Sequence, residues 1–384
     1  MNKHFLYILR FFSKGWDVSA LALLPFLQQE SYLSLVEIGL LAMVFGVTAT
    51  ISSLVAGHVS EHLGNKNVLF FTLLFYILSW GGFLITHSFF VYCLVYACAG
   101  ISSGLLEPIT SAIFARESSA ANRAQEMGDF AAFGDLGRIS LTTLTTILIG
   151  FISLQLVSVM YAGIAVMLLV CLISHTLRKN IKLHKIKKTR AVSFLTLASS
   201  RKYVMAVITG MLDSFSSSSL FIFLPFLFMQ KGIDIKITGL FTALFFLGYL
   251  SGRLVLGRLG DKHGTAKIFM FAQIIMALLI IGLVYIQSFW LIVIDLFLLG
   301  VVTRGTSPLV KAMIADGLKE NEFEKGYSFH ASTGRISSSV SRPAFGYLGS
   351  VWGVGSIFYF SGAIALLTII PAMVFYKSSK PRNK

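Results

Sequence analysis

The sequence predicts an all-α membrane protein built from two six-helix bundles in parallel repeat. Three observations predict it: long apolar runs, basic residues gathered in alternate loops, and self-similarity at an offset of 200 residues. Of 384 residues, 55% are hydrophobic and only 13% are charged, where an ordinary globular domain carries about 25% charge. The apolar residues fall into runs of about twenty, long enough to cross a hydrocarbon core at a rise of about 1.5 Å per residue.

Twelve such runs follow in order. Run 5–27 carries Arg10, Lys14 and Asp17 at i, i+4 and i+7, on one helical face, and ends in Leu24-Pro25-Phe26-Leu27. Runs 38–57 and 67–87 flank the first polar turn. Run 89–115 holds Gly100-Ile-Ser-Ser-Gly104 and then Glu107-Pro108, and run 127–150 bears a stripe of Asp135, Arg138, Thr142 and Thr145. Run 152–177 completes a first bundle, 1–177, and the basic segment 178–202 links it to a second, 203–384. There, run 203–229 sets Asp213 before Ser216 and Ser217, and runs 237–256 and 267–286 flank the polar island Gly257–Lys267. Run 289–315 places Arg304, Ser307 and Lys311 on one face, 326–349 does the same with Arg335, Ser338, Ser339 and Arg342, and 354–376 is the last. No short apolar segment with a small-residue cleavage site precedes the first run, so no removed signal peptide is expected.

The net charge of +15 is topology rather than a nucleic-acid footprint. With the N-terminus inside, 22 of the 32 Lys and Arg fall in inner loops and ends, and only Lys231 and Lys236 fall outside. Cytoplasmic loops collect Lys and Arg, so both termini are expected in the cytoplasm, in the inner membrane of a bacterium. The bilayer is a partner and nucleic acid is not.

Shifting the numbering by 200 lays Leu24-Pro25-Phe26-Leu27 on Leu224-Pro225-Phe226-Leu227, Gly57 on Gly257, Glu61 on Asp261, Gly64 on Gly264, Gly100 on Gly300 and Pro108 on Pro308. Parallel repeats of this kind place a solute site between the halves. The pattern Gly257, Asp261, Lys262, Gly264, Lys267, with its degraded twin Gly57, Glu61, His62, Gly64, Lys66, resembles the signature of the major facilitator superfamily. The resemblance implies that superfamily's twelve-helix fold and a carrier of small solutes that works as a monomer. Physically the loop reads as a latch: its glycines let helix ends approach, and its acid can pair with a helix N-terminus or a neighbouring cation.

Other chemistry fares badly. Gly100-Ile-Ser-Ser-Gly104 fits the G-x-S-x-G pattern, but it lies inside an apolar helix, where small residues at four-residue spacing serve close packing. His58 and His62 could hold a metal at i, i+4, yet their repeat partners are Arg258 and Lys262, so positions favouring a cation are the better reading. Cys93, Cys98 and Cys171 all lie in apolar runs, and no Walker-type phosphate loop is present. No enzyme, cofactor or metal is expected.

The ionisable residues inside the runs carry the functional expectation, because each costs about 2.5–3.5 kcal/mol at mid-helix unless it meets a partner or water. Asp17, Glu107, Arg138, Asp213, Arg304, Lys311, Arg335 and Arg342 are the candidates for binding solute or protons, with Glu107–Arg138 the pair of interest in the first half. Arg10 and Lys14 can snorkel to the inner surface. The cations of the second half favour an organic anion. Protons, or sodium in their place, would supply the energy, and the expected direction leans to export. Efflux of lipophilic cations is the alternative, and a non-transporting receptor on the same fold is an alternative of another class.

Overall fold

The computed structural model describes residues 3–85, 88–117, 123–177, 200–234, 237–318 and 323–379, with the side chains of Glu61 and Arg304 among those left outside the description. The chain divides into two compact units, Met1–Lys188 with Asp234–Gly239, and Thr189–Ile233 with Leu240–Lys384. Most of the basic linker, 178–199, lies outside the described residues.

The first unit contains α1 (Lys3–Ala22), α2 (Leu24–Ser31), α3 (Leu35–Leu63), α4 (Asn65–Gly82), α5 (Phe89–Glu117), α6 (Arg123–Phe151) and α7 (Leu154–Leu177). The first expected span is thus broken. Pro25 has no N–H for the carbonyl four residues back, so the helix stops at Ala22 and restarts at Leu24. Ser34 then starts α3 through a capping box: its Oγ accepts from the Glu37 amide, and its own amide donates to Glu37 Oε2 at 2.8 Å. Helix α3 packs along α5, α1 along α6, and α4 against α5 and α7.

The second unit contains α8 (Arg201–Ser217), α9 (Leu220–Gln230), α10 (Thr238–His263) from Leu240 onward, α11 (Thr265–Tyr285), α12 (Phe289–Asp316), α13 (Phe323–Trp352), α14 (Val354–Leu367) and α15 (Ile369–Ser379). The seventh and twelfth spans are broken too, at Ser218-Ser219 and at Thr368, the latter just ahead of Pro371. Helix α8 is central, touching α12, α13, α14 and α15. It is zipped to α14 by a reciprocal pair: Ser216 Oγ donates to the Ser361 carbonyl at 2.9 Å, and Ser361 Oγ to that of Ser216 at 2.7 Å. Just beyond α9, Lys231 donates to the carbonyls of Val284 and Ile286, at 2.8 and 2.6 Å, and closes the C-terminus of α11.

Eight stretches among the described residues are long and apolar enough to cross a bilayer. The other four expected spans are helical but more polar. Helices α1, α6 and α13 carry the ionisable stripes, and α4 opens on Asn65-Lys66-Asn67. Apolar side chains such as Leu54, Leu94, Phe151 and Leu278 are exposed, as a lipid-bathed surface requires.

The 200-residue repeat reappears as geometry in two places. A Cβ on Gly100 would lie 3.1 Å from the amide nitrogen of Ala49, and one on Gly300 would lie 3.1 Å from that of Tyr249. In each unit the same glycine thus seats its helix on the backbone of the second span. Gly104 meets Ala49 and Ser52 in the same way, so the G-x-S-x-G stretch is a packing motif.

Candidate functional site

The second place is the signature loop. Gly64 joins α3 to α4 with φ 80° and ψ 144°, and Gly264 joins α10 to α11 with φ 95° and ψ 126°. Each glycine donates to the carbonyl four residues back, Ser60 at 3.0 Å or Gly260 at 2.8 Å, and accepts from the residue four ahead, Val68 or Ile268, at 3.2 Å. A single residue in a conformation that only glycine adopts freely therefore turns one helix into the next. Substitution by alanine at Gly64 or Gly264 is expected to cost about 1–3 kcal/mol, read as a lower melting temperature in detergent.

The other signature residues are placed differently from expectation. A Cβ on Gly57 would meet nothing within 4 Å, and one on Gly257 would only touch Pro308 at 4.0 Å. The close approach attributed to these two glycines is therefore made elsewhere, by Gly260 against Leu309 in the second loop. Asp261 and Lys262 are exposed, and Lys267 sits 5.6 Å over the Tyr376 ring. His58 and His62 meet ring edge to ring face at 4.4 Å. The Glu61 side chain lies outside the description.

The polar interior of the first unit is built on α1. Both oxygens of Asp17 accept hydrogen bonds, from Tyr76 of α4 at 2.6 Å and from Ser103 of α5 at 2.7 Å. One turn earlier, Lys14 Nζ lies 2.7 Å from Glu107 Oε2, and Arg10 Nη2 lies 3.3 Å from Glu107 Oε1. Gly134 of α6 makes room for both cations: a Cβ there would lie 3.0 Å from Arg10 Nε and 3.1 Å from Lys14 Cγ. Arg10 and Lys14 therefore do not snorkel; they are sunk against α6 and held by a carboxylate. Arg138 pairs with Asp135 at 3.2 Å on its own helix.

The second unit repeats the Asp17 arrangement with other donors. Asp213 of α8 accepts from Gln273 of α11 at 2.5 Å and from Thr306 of α12 at 3.1 Å. In both units a buried aspartate on the first span is tied to the third and fourth spans. Tyr76, Ser103, Gln273 and Thr306 were not singled out from sequence, although Gln273, an amide within an apolar run, carried the signal. Of the four candidate cations on α12 and α13, Lys311 is exposed, Arg335 and Arg342 are half-buried, and the Arg304 side chain is outside the description. Asp295 of α12 is buried with Oδ2 unpartnered. Among the described residues no cluster of His, Cys, Asp and Glu could hold a metal ion.

Known proteins are similar along the whole chain. The sequence matches the model of the Major Facilitator Superfamily over residues 5–231 and again over 206–384. The Multi-drug resistance efflux pump PmrA homolog of Lactococcus lactis is 29% identical over 169 residues, which is 42% of this chain and 41% of that protein. The chain thus spans about two fifths of that curated relative. Among solved structures, the nucleoside transporter NupG superposes with a TM-score of 0.78 at 14% identity, over 98% of this chain and 100% of that one. The human organic anion transporter MFSD10 does so with 0.64 at 16%, over 97% and 100%.

Proposed function

Because the chain belongs to the major facilitator superfamily, a family of multi-pass membrane transporters, we propose that it carries a small organic anion by alternating access, driven by protons. The observation that supports the anion is the set of cations on two spans of the second unit, α12 and α13. Arg304 and Lys311 on α12, with Arg335 and Arg342 on α13, stand against the buried carboxylates Asp213 and Asp295. A guanidinium in a low-dielectric cavity is suited to a carboxylate, which it can hold through two parallel hydrogen bonds. Basic inner loops support a reading in which the protein sits in the cytoplasmic membrane of a bacterium with both ends inside, and the carrier acts as a monomer. Asp261, Lys262 and the glycine turns at Gly64 and Gly264 serve as the gate.

Efflux of lipophilic cations is the second reading, favoured by the multidrug name of the Lactococcus lactis relative. Thermal stability of the purified protein separates the two, since a ligand at about 100 times its Kd adds about 2.7 kcal/mol. Small organic anions are expected to raise the melting temperature, and Arg304→Ala or Arg335→Ala to diminish the rise. Stabilisation by lipophilic cations alone, unchanged in both variants, would return the protein to multidrug efflux.

A further inference from the structure

Two cations of α1 hold one carboxylate of α5. The Arg10 and Lys14 side chains are 10% and 13% exposed, whereas Glu107 keeps 33% of its surface open. Arg10 also retains donors it does not use, Nε and Nη1, both buried without a hydrogen-bond partner. Its guanidinium lies 5.2 Å from the centre of the Phe130 ring, an apolar floor for whatever it binds. The carboxylate-binding capacity of this station therefore exceeds what Glu107 takes up. Pro108 follows Glu107, and its missing N–H leaves the Gly104 carbonyl without a helical partner beside the station.

We infer that Glu107 is a resident stand-in for the carboxylate of the solute: on taking up a proton it releases Arg10 and Lys14, and an organic carboxylate binds both in its place. This rests on the anion-carrier reading above and adds a site and an order of events to it. The exchange balances. A proton bonds to a Glu107 oxygen, the two charge-assisted contacts of 3.3 and 2.7 Å break, and the incoming carboxylate makes two again. One proton and one anion enter together, so the station keeps its net charge and no extra ion is left uncompensated in the membrane.

Neighbouring groups fit this assignment. From α1 itself Asp17 lies near, but its oxygens are taken by the neutral hydroxyls of Tyr76 and Ser103 and it is 9% exposed. From α6 come Asp135 and Arg138, paired with each other. Helix α3, which runs along α5, carries Glu37, His58, Glu61 and His62 towards its two ends. Glu107 is more accessible than Asp135, 33% of its side chain against 14%, and it pairs with two cations of another helix.

Benzoate is a suitable probe, with binding to the full-length purified protein read by calorimetry between pH 5.5 and 8. The competent fraction is the protonated one, so the apparent Kd in the wild type is expected to rise about tenfold per pH unit once Glu107 is mostly ionised. Glu107→Gln, which carries no charge at any pH, is expected to bind benzoate at least tenfold more tightly at pH 8 and with no pH dependence. The wild type supplies a check that needs no variant: repeating the titration in buffers of different ionisation enthalpy should show about one proton taken up per benzoate. Binding by the wild type without proton uptake, or with Glu107→Gln unchanged, would overturn the exchange while leaving the anion carrier standing. If neither protein bound benzoate or any other carboxylate at any pH, the anion reading itself would fall with it.

Discussion

Gly100→Val and Gly300→Val are each expected to leave almost no folded protein, and to do so equally. At both positions the Cβ of any larger residue is driven into the backbone of the neighbouring helix, with the amide nitrogens of Ala49 and Tyr249 at 3.1 Å and the carbonyls of Phe45 and Phe245 closer still. Overpacking a well-filled site costs about 1–3 kcal/mol when side chains can give way. Backbone cannot give way without moving a whole helix, so the cost here exceeds that range. Because domain stability is only about 5–15 kcal/mol, loss of the α3–α5 or α10–α12 seat should empty the monodisperse peak in size-exclusion chromatography from detergent. Gly57→Ala is the matched control. Its Cβ would meet nothing within 4 Å, and a helical Gly→Ala change gains about 0.5–1 kcal/mol, so its melting temperature should hold or rise. A well-folded Gly300→Val would mean that the α10–α12 crossing is wrongly placed.

That equality between distant positions is the part of the fold most legible in the sequence. Gly100 and Gly300, or Gly64 and Gly264, keep an offset of 200 because each pair solves the same local problem of close approach or positive φ. Apolar runs gave the spans for a similarly local reason, the thickness of the bilayer. The breaks in the first and last spans were less legible, because a proline acts on the carbonyl one turn upstream and the helix fails there rather than at Pro25 or Pro371. Least legible were the partners. Helical periodicity put Arg10, Lys14 and Asp17 on one face but gave no register against α4, α5 and α6, which is what sends Asp17 to Tyr76 and Ser103, and Arg10 and Lys14 to Glu107. Judged by distance from the end of α1 alone, those two cations looked free to reach the inner surface. The notch at Gly134 that receives them exists only once α1 and α6 are packed.

Glu107→Ala is expected to destabilise the first unit by about 3–5 kcal/mol, the usual cost of removing one partner from a buried ion pair. Arg10 and Lys14, 10% and 13% exposed, would be left in the membrane with no carboxylate to hold them. Replacing all three members together, Arg10→Met with Lys14→Met and Glu107→Met, should recover most of that loss, because a well-packed apolar substitute for a buried ionic cluster is often neutral or stabilising. Melting temperatures of the single and triple variants in the same detergent measure both. The comparison matters because the two quantities should part company: the triple variant is expected to be as stable as the wild type and to carry nothing when reconstituted in vesicles under a proton gradient. If it transported at the wild-type rate, the triad would be structural. If it remained as unstable as Glu107→Ala, the ions would be holding α1 to α5 and α6 by themselves. The expected result, stability regained and transport lost, is what a costly buried charge cluster shows when its use is to exchange partners.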